Sequence, residues 1–276
     1  MIVTAVPRSA PPATRRDRAR ALLAATLALS LLPAPLPGGV VAAGTAPRPG
    51  VTVSTGIDGP GAAQVFRMNL GERRDFVAQA NFVQCVGASV QMMLNVMRPG
   101  ADRSAATQAR LQRLARGWSG PRPDGTSRKG AGIRGWEASL EIRGGGPYRI
   151  VGKKTLQEAL RAAALAIRTY HRPVGLLVWR GRHAWVMTGF EATADPASGR
   201  PFTVTRAYIL DPLYPHGSAA WGPSPRPGAA VDVSVIGRQF VRRRTGGPWN
   251  ALPGMARLAG KYVLLVPSGP DPTRLA

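Results

Sequence analysis

Cysteine is nearly missing from this sequence: Cys85 is the only one in 276 residues. No internal disulfide can form, so the fold has to rest on a hydrophobic core. With one cysteine and three dispersed histidines, His171, His183 and His216, the clusters that zinc requires are absent, and neither a metal nor a cofactor is expected. Apolar runs long enough for a membrane are missing as well. The run from Ala21 to Leu32 is twelve residues and is broken by Pro33, Pro35 and Pro37, against the roughly 20 residues a spanning helix needs. No transmembrane segment is expected. Acidic residues are scarce, 14 against 37 basic, for a formal charge of +23. Lysine occurs only at Lys129, Lys153, Lys154 and Lys261, and the arginines are scattered singly. No aromatic-interleaved basic strand or recognition helix is present, which argues against dedicated nucleic-acid binding. The excess charge instead predicts an acidic peptide or protein substrate, or an anionic cell-envelope surface, as partner. The glycines of Lys129-Gly-Ala-Gly-Ile-Arg-Gly135 follow no strand and lack phosphate-loop spacing, so no nucleotide site is expected.

What is present starts with the three parts of a secretory signal: Arg15, Arg16, Arg18 and Arg20, then the apolar run, then small residues at Val41-Ala42-Ala43. Residues 1–43 are therefore read as a signal peptide, cleaved after Ala43 or Ala46, of a protein exported to the cell envelope or secreted. Removing them takes away five arginines and one aspartate and leaves 32 basic and 13 acidic residues. Residues 44–63, rich in Gly, Pro, Thr and Ala, read as a flexible lead-in. A single domain over 64–268 and a tail over 269–276 complete the chain.

Within the domain the hydrophobic period changes once. Val86, Val90, Met93, Leu94 and Met97 form a helical stripe over Cys85 to Met97, with Cys85 in the first turn. Ser104 caps a second helix to Trp118, Ile133 to Ile142 reads as a third, and Thr155-Leu-Gln-Glu158 is a capping box opening an Ala-rich helix to about Tyr170. Strands are read at Gln64 to Asn69 and Tyr148 to Val151. From Val174 the period is two, giving strands at Val174 to Trp179, His183 to Glu191, Thr203 to Leu210 and Lys261 to Pro267. A short helix is placed within Val231 to Arg244. Helices first and a sheet after predict an α+β fold, with an antiparallel sheet packed on the Cys85 helix.

A lone cysteine is most often a small buried hydrophobe, and its neighbours decide whether it is more. A thiol at a helix N-terminus has its thiolate favoured by the helix dipole and free N–H groups, and an imidazole completes its activation. His183 is the histidine that opens a strand; His171 reads as a cation at a helix C-terminus and His216 as a loop residue. Asp195-Pro196-Ala197-Ser198-Gly199 is a strong turn signal between the His183 strand and the next. In a hairpin centred on residue 197 opposed positions add to 394, which sets Asp211 across from His183 with Cβ atoms about 4.5–5.5 Å apart. A bulge would shift that register by one. For an oxyanion, Gln79 reaches over from the preceding loop to join the Cys85 N–H, with Gln84 as the competing side chain. The six tryptophans read as core or rim packing; Trp185, two residues from His183 on the same face, is the one placed to wall a cleft.

Three local matches carry a resemblance. They are Gln79-Ala-Asn-Phe-Val-Gln-Cys85 running into its helix, Arg172-Pro173-Val174 through His183-Ala-Trp-Val-Met-Thr-Gly189-Phe190, and Ile209-Leu-Asp211-Pro212. In these the chain resembles papain-like cysteine peptidases, and among them the bacteriocin-processing, double-glycine peptidase family. The resemblance spans about Gln64 to Pro267 and implies a papain-like fold, with Cys85 as nucleophile, His183 as base, Asp211 as orienter and Gln79 as oxyanion donor. It departs from the family in having Val86 between the cysteine and Gly87, and in a lengthened His-to-Asp interval. The expected activity is that of an exported thiol peptidase or amidase, with transglutaminase-like chemistry as a neighbouring variant. A catalytically inert papain-like binding module of the cell envelope is the competing class.

Overall fold

Why the chain divides into a helical and a sheet half is visible in the structure, a computed structural model that describes residues 52–57, 64–98, 100, 102–122, 125 and 129–270. The proposed signal peptide lies outside the described residues, as does the tail beyond residue 270. Strands β1 (Thr52–Ile57) and β2 (Gln64–Asn69) come first, followed by helices α1 (Cys85–Met97), α2 (Ala105–Trp118) and α3 (Ile133–Ile142). Then come β3 (Tyr148–Lys153), α4 (Leu156–Tyr170), β4 (Val174–Val178), β5 (His183–Ala192) and β6 (Val204–Leu210). A two-stranded ribbon of β7 (Gly217–Ser218) and β8 (Gly222–Pro223) precedes β9 (Ala230–Asp232), α5 (Val233–Gln239) and β10 (Tyr262–Pro267). The class is α+β, and every strand pairing in the main sheet is antiparallel.

The main sheet runs β1-β2-β5-β4-β10-β3, with β6 on the other edge of β5 and β9 beyond it. β5 is long enough to pair with β4 through His183–Met187 and with β2 through Gly189–Ala192, while β6 follows from Val186 to Ala192. Every residue of β4 and β5 is buried, so both faces of the sheet's centre are covered. Such strands read as continuous apolar runs. α1 packs on β5, and α4 lies across β10 and β5.

α1 is buried along its whole length from Val86 to Met97, more than the single stripe expected of it. Its polar residues are occupied accordingly, as buried polar groups must be. Gln91 Nε2 donates to the Asp102 carbonyl at 2.9 Å, and Asn95 both donates to that carbonyl at 3.0 Å and accepts from the Asp102 N–H at 3.1 Å. The α4 capping box forms as read: the Thr155 hydroxyl accepts from the Glu158 N–H, and the Glu158 carboxylate accepts from the Thr155 N–H. Ser104 caps α2 through the Thr107 N–H.

Two elements differ from the sequence reading. Within the segment read as a flexible lead-in, Thr52–Ile57 forms an edge strand, paired from Thr52 opposite Asn69 to Ile57 opposite Gln64. Thr52 to Thr55 are exposed, so this part of the strand is held by its backbone ladder, and the alternation of Val51, Val53 and Ile57 with Thr52, Ser54 and Gly56 is a strand signal inside the segment read as lead-in. The stretch Val231 to Arg244 is helical only over Val233–Gln239, after a short strand, with Asp232 as N-cap accepting from Ser234 at 2.8 Å.

Candidate active site

α1 brings Cys85 to its first turn, where the side chain is half-buried and free of any disulfide. One turn along, the Ser89 hydroxyl donates to the Ala184 carbonyl at 3.4 Å, which directs that side of the helix at the start of β5. His183, the first residue of β5, is there, with the Cys85 side chain near enough to its ring to favour the protonated form. On its other side His183 Nε2 donates to Asp211 Oδ1 at 2.7 Å, with the two side chains 4% and 0% exposed. Nδ1 is thus the ring nitrogen left for the sulfur. Cys85, His183 and Asp211, separated by up to 126 positions, are thus gathered in one place.

The register that brings Asp211 there is not the one expected. Thr193 N–H closes the hairpin on the Thr203 carbonyl at 3.0 Å, so the loop is centred on Ser198 instead of Ala197. The pairs Val186 with Leu210 and Met187 with Ile209 add to 396, and two irregularities follow further along. Continuing that register sets Asp211 opposite Trp185, a diagonal neighbour of His183. A shift of two keeps the face, whereas a shift of one would have turned Asp211 away. Asp211 Oδ1 also accepts from the Leu213 N–H at 2.9 Å, while Oδ2 is buried without a partner among the described residues.

Burial pushes the His183 imidazole down, but the hydrogen bond to Asp211, then the hydrogen bond and charge of Cys85, outweigh it and raise it from 6.5 to about 9. The ring therefore carries a proton at neutral pH. Such an imidazolium, shared between a sulfur and a carboxylate, can give a proton to a leaving group and supplies the positive charge that a thiolate nucleophile needs.

Trp179, and not Trp185, covers the ring. Its indole stacks on the His183 imidazole at 4.2 Å between centroids and 23° between planes. Trp185 is wholly buried in the core. The chain leaves β4 at Val178, and Trp179 and Arg180 both take positive φ, 55° and 57°. Each such conformation costs about 1–3 kcal/mol in a non-glycine residue and persists where surrounding contacts hold it. Here the contact is Gln239 of α5, whose Oε1 accepts from Trp179 Nε1 at 3.0 Å and whose Nε2 donates to the Pro223 carbonyl at 2.9 Å. Only backbone geometry distinguishes the two tryptophans, and no sequence signal gives it.

The loop before Cys85 is held by two glutamines one turn apart on α2. Gln108 accepts from the Ala80 N–H at 2.7 Å and donates to the Ala78 carbonyl at 2.9 Å. Gln112 accepts from the Gly87 N–H at 2.9 Å and donates to the Val83 carbonyl at 2.8 Å. α2 comes close enough that a Cβ on Gly87 would lie 2.8 Å from the Gln112 side chain. With Gly87 N–H taken by Gln112 and Ala88 N–H by Gln84, the N–H groups of Cys85 and Val86 are the first-turn donors without an acceptor among the described residues. Two polar residues spaced by four on the face of α2 that also buries Leu111 and Ala115 are a signal that could have been read; their target could not.

Gln79 is tied to the same corner through its backbone, its N–H donating to the Pro212 carbonyl at 2.7 Å. Its side-chain Nε2 donates to the Asn81 carbonyl at 2.8 Å, which leaves one amide hydrogen beyond that bond. Gln84 is the N-cap residue of α1 and makes no side-chain cap bond. His171 ends α4 in a left-handed conformation, and His216 is exposed; neither joins the site. Among the described residues no group of three or more His, Cys, Asp or Glu side chains gathers as metal ligands would. No described helix is long and apolar enough to cross a membrane. Compared with known proteins, the chain matches no family model and no curated sequence significantly.

Proposed function

We propose that the protein is an exported cysteine peptidase or amidase of papain-like architecture. The observation that supports this best is the His183 ring, bonded to the buried Asp211 carboxylate at 2.7 Å and adjoining the Cys85 thiol at the first turn of α1. Cys85 attacks the carbonyl carbon of the substrate. The oxygen that becomes negative is met by the Cys85 N–H at the positive end of α1, with Gln79 of the preceding loop as the assisting side chain. His183 protonates the departing amine, leaving an acyl group on sulfur. It then takes a proton from water as that water releases the acid. Asp211 holds the imidazole in the tautomer that presents Nδ1 to the sulfur.

The test is the rate at which iodoacetamide modifies Cys85 across pH in the wild type, His183→Ala and Asp211→Asn. Modification that stays fast down to about pH 6 in the wild type and is lost in His183→Ala supports the reading. Rates equally slow in all three chains overturn it, and leave a papain-like binding module.

A further inference from the structure

Beside the site lies a cavity of about 230 Å³ with an unusual lining. Arg134, Arg180, Arg182, Arg243 and Arg244 contribute to it, with no Asp or Glu among its described lining residues. Its rim includes residues next in the chain to Trp179 and His183. Arg180 and Arg182 belong to the strained turn that leads from Trp179 into His183. On the other side Ala131 and Gly132 continue from Gly130, where a Cβ would lie 3.7 Å from the carbonyl of Val83, two residues before Cys85.

Arg243 makes this more than a cluster of surface charges. It is 7% exposed, and its NH1 donates to neutral acceptors, Asn250 Oδ1 at 2.9 Å and the Met255 carbonyl at 3.2 Å. No carboxylate among the described residues pairs with it. Burial without an opposite charge lowers its affinity for the proton, and an anion entering the cavity would supply the opposite charge that it lacks. The volume sets the size of the visitor. It falls below the roughly 300–1,000 Å³ of pockets that take whole small ligands, and suits one side chain. Trp249, Leu252 and Met255 add an apolar wall for its methylenes.

We infer that this cavity is a specificity pocket that takes the carboxylate side chain of an acidic residue in the peptide substrate, paired with Arg243 and the arginines of the Arg180–Arg182 turn. This rests on the proposal that Cys85 and His183 act on a peptide, and it narrows the general attraction of a basic protein for acidic partners to one place.

The experiment uses the full chain with Cys85→Ala and two fluorescein-labelled, amidated pentapeptides that differ only in a central glutamate or glutamine, with binding followed by anisotropy. The glutamate peptide is expected to bind about tenfold tighter, the equivalent of one good Arg–carboxylate pair. Arg180→Gln/Arg182→Gln should remove the preference. Arg149→Gln/Arg161→Gln, which discards the same charge from the α4 side, should keep it. Equal binding of the two peptides, or equal loss in both double variants, would falsify the assignment. Binding here does not use the thiol, so the pocket fails on this measurement and the peptidase reading on alkylation, each separately.

Discussion

The two ends of β5 each carry a buried charged constellation, and only one has the makings of a site. At the far end Glu191 is 6% exposed and surrounded on every side. Its Oε1 accepts from the Tyr208 hydroxyl at 3.1 Å and faces Arg67 at 3.6 Å, and its Oε2 faces Arg206 at 3.6 Å. At the near end His183 and Asp211 are buried as deeply, but their pair adjoins a half-exposed thiol, and one carboxylate oxygen is left over. Burial of charge is thus common to both. What separates them is whether a reactive atom stands at the end of the network or every group is closed on another.

The largest effect that sharpens this contrast is on rate. On the proposed mechanism His183→Ala removes the base and acid together, and turnover of a peptide substrate should fall by about 10²–10⁴-fold. Arg206→Gln, at the closed end, should leave turnover within error. A comparable fall in both would break the comparison.

Next in size is the dependence of stability on pH. His183 has a folded value of about 9 against 6.5, so its stabilisation is complete below about 6.5 and is lost as pH rises through about 9. Urea midpoints of the wild type should decline across that window. Asp211→Asn removes the leading cause of the upward shift and should flatten the decline. Glu191→Gln should keep the slope, while lowering the unfolding free energy at every pH by about 1–3 kcal/mol for a buried network left incomplete. A slope that survives Asp211→Asn would place the titrating group elsewhere.

How much of this could be read beforehand follows the range of the forces involved. The start of α1 at Cys85 and the α4 box depend on residues a few positions apart, and the sequence shows both. Pairing of His183 with Asp211 was reached from a turn placed one residue early, and it survived because an error of two in register conserves the face. The edge strand Thr52–Ile57 lies in a stretch whose Gly and Pro content outweighs its short alternation of Val53, Thr55 and Ile57. Gln108 and Gln112, which reach back about thirty positions to the nucleophile loop, and the exchange of Trp185 for Trp179 depend on tertiary approach, which no local pattern encodes.

Gln112 offers the third test. Gln112→Met keeps the volume but leaves the Gly87 N–H and Val83 carbonyl without their partner, which should cost about 1–3 kcal/mol in urea unfolding. If the glutamine positions the thiol as well as stabilising the loop, alkylation of Cys85 slows at fixed pH while Gln112→Glu, which still accepts from Gly87, recovers part of the rate. A stability loss with an unaltered alkylation profile would reduce Gln112 to a structural tie.

Trp179→Phe probes the smallest term. The ring remains to stack on His183, but the bond to Gln239 is gone, and with it the contact that holds a left-handed turn in place. A neutral hydrogen bond of this kind contributes about 0.5–1.5 kcal/mol, so global stability should move by no more than that. The turn, however, also carries Arg180 and Arg182. Its loosening should therefore weaken the glutamate preference in the peptide-binding assay more than it alters alkylation of Cys85. The opposite ranking would mean that Trp179 serves the imidazole alone, and that the strain stored at residues 179 and 180 has its purpose in the chemistry and not in the pocket.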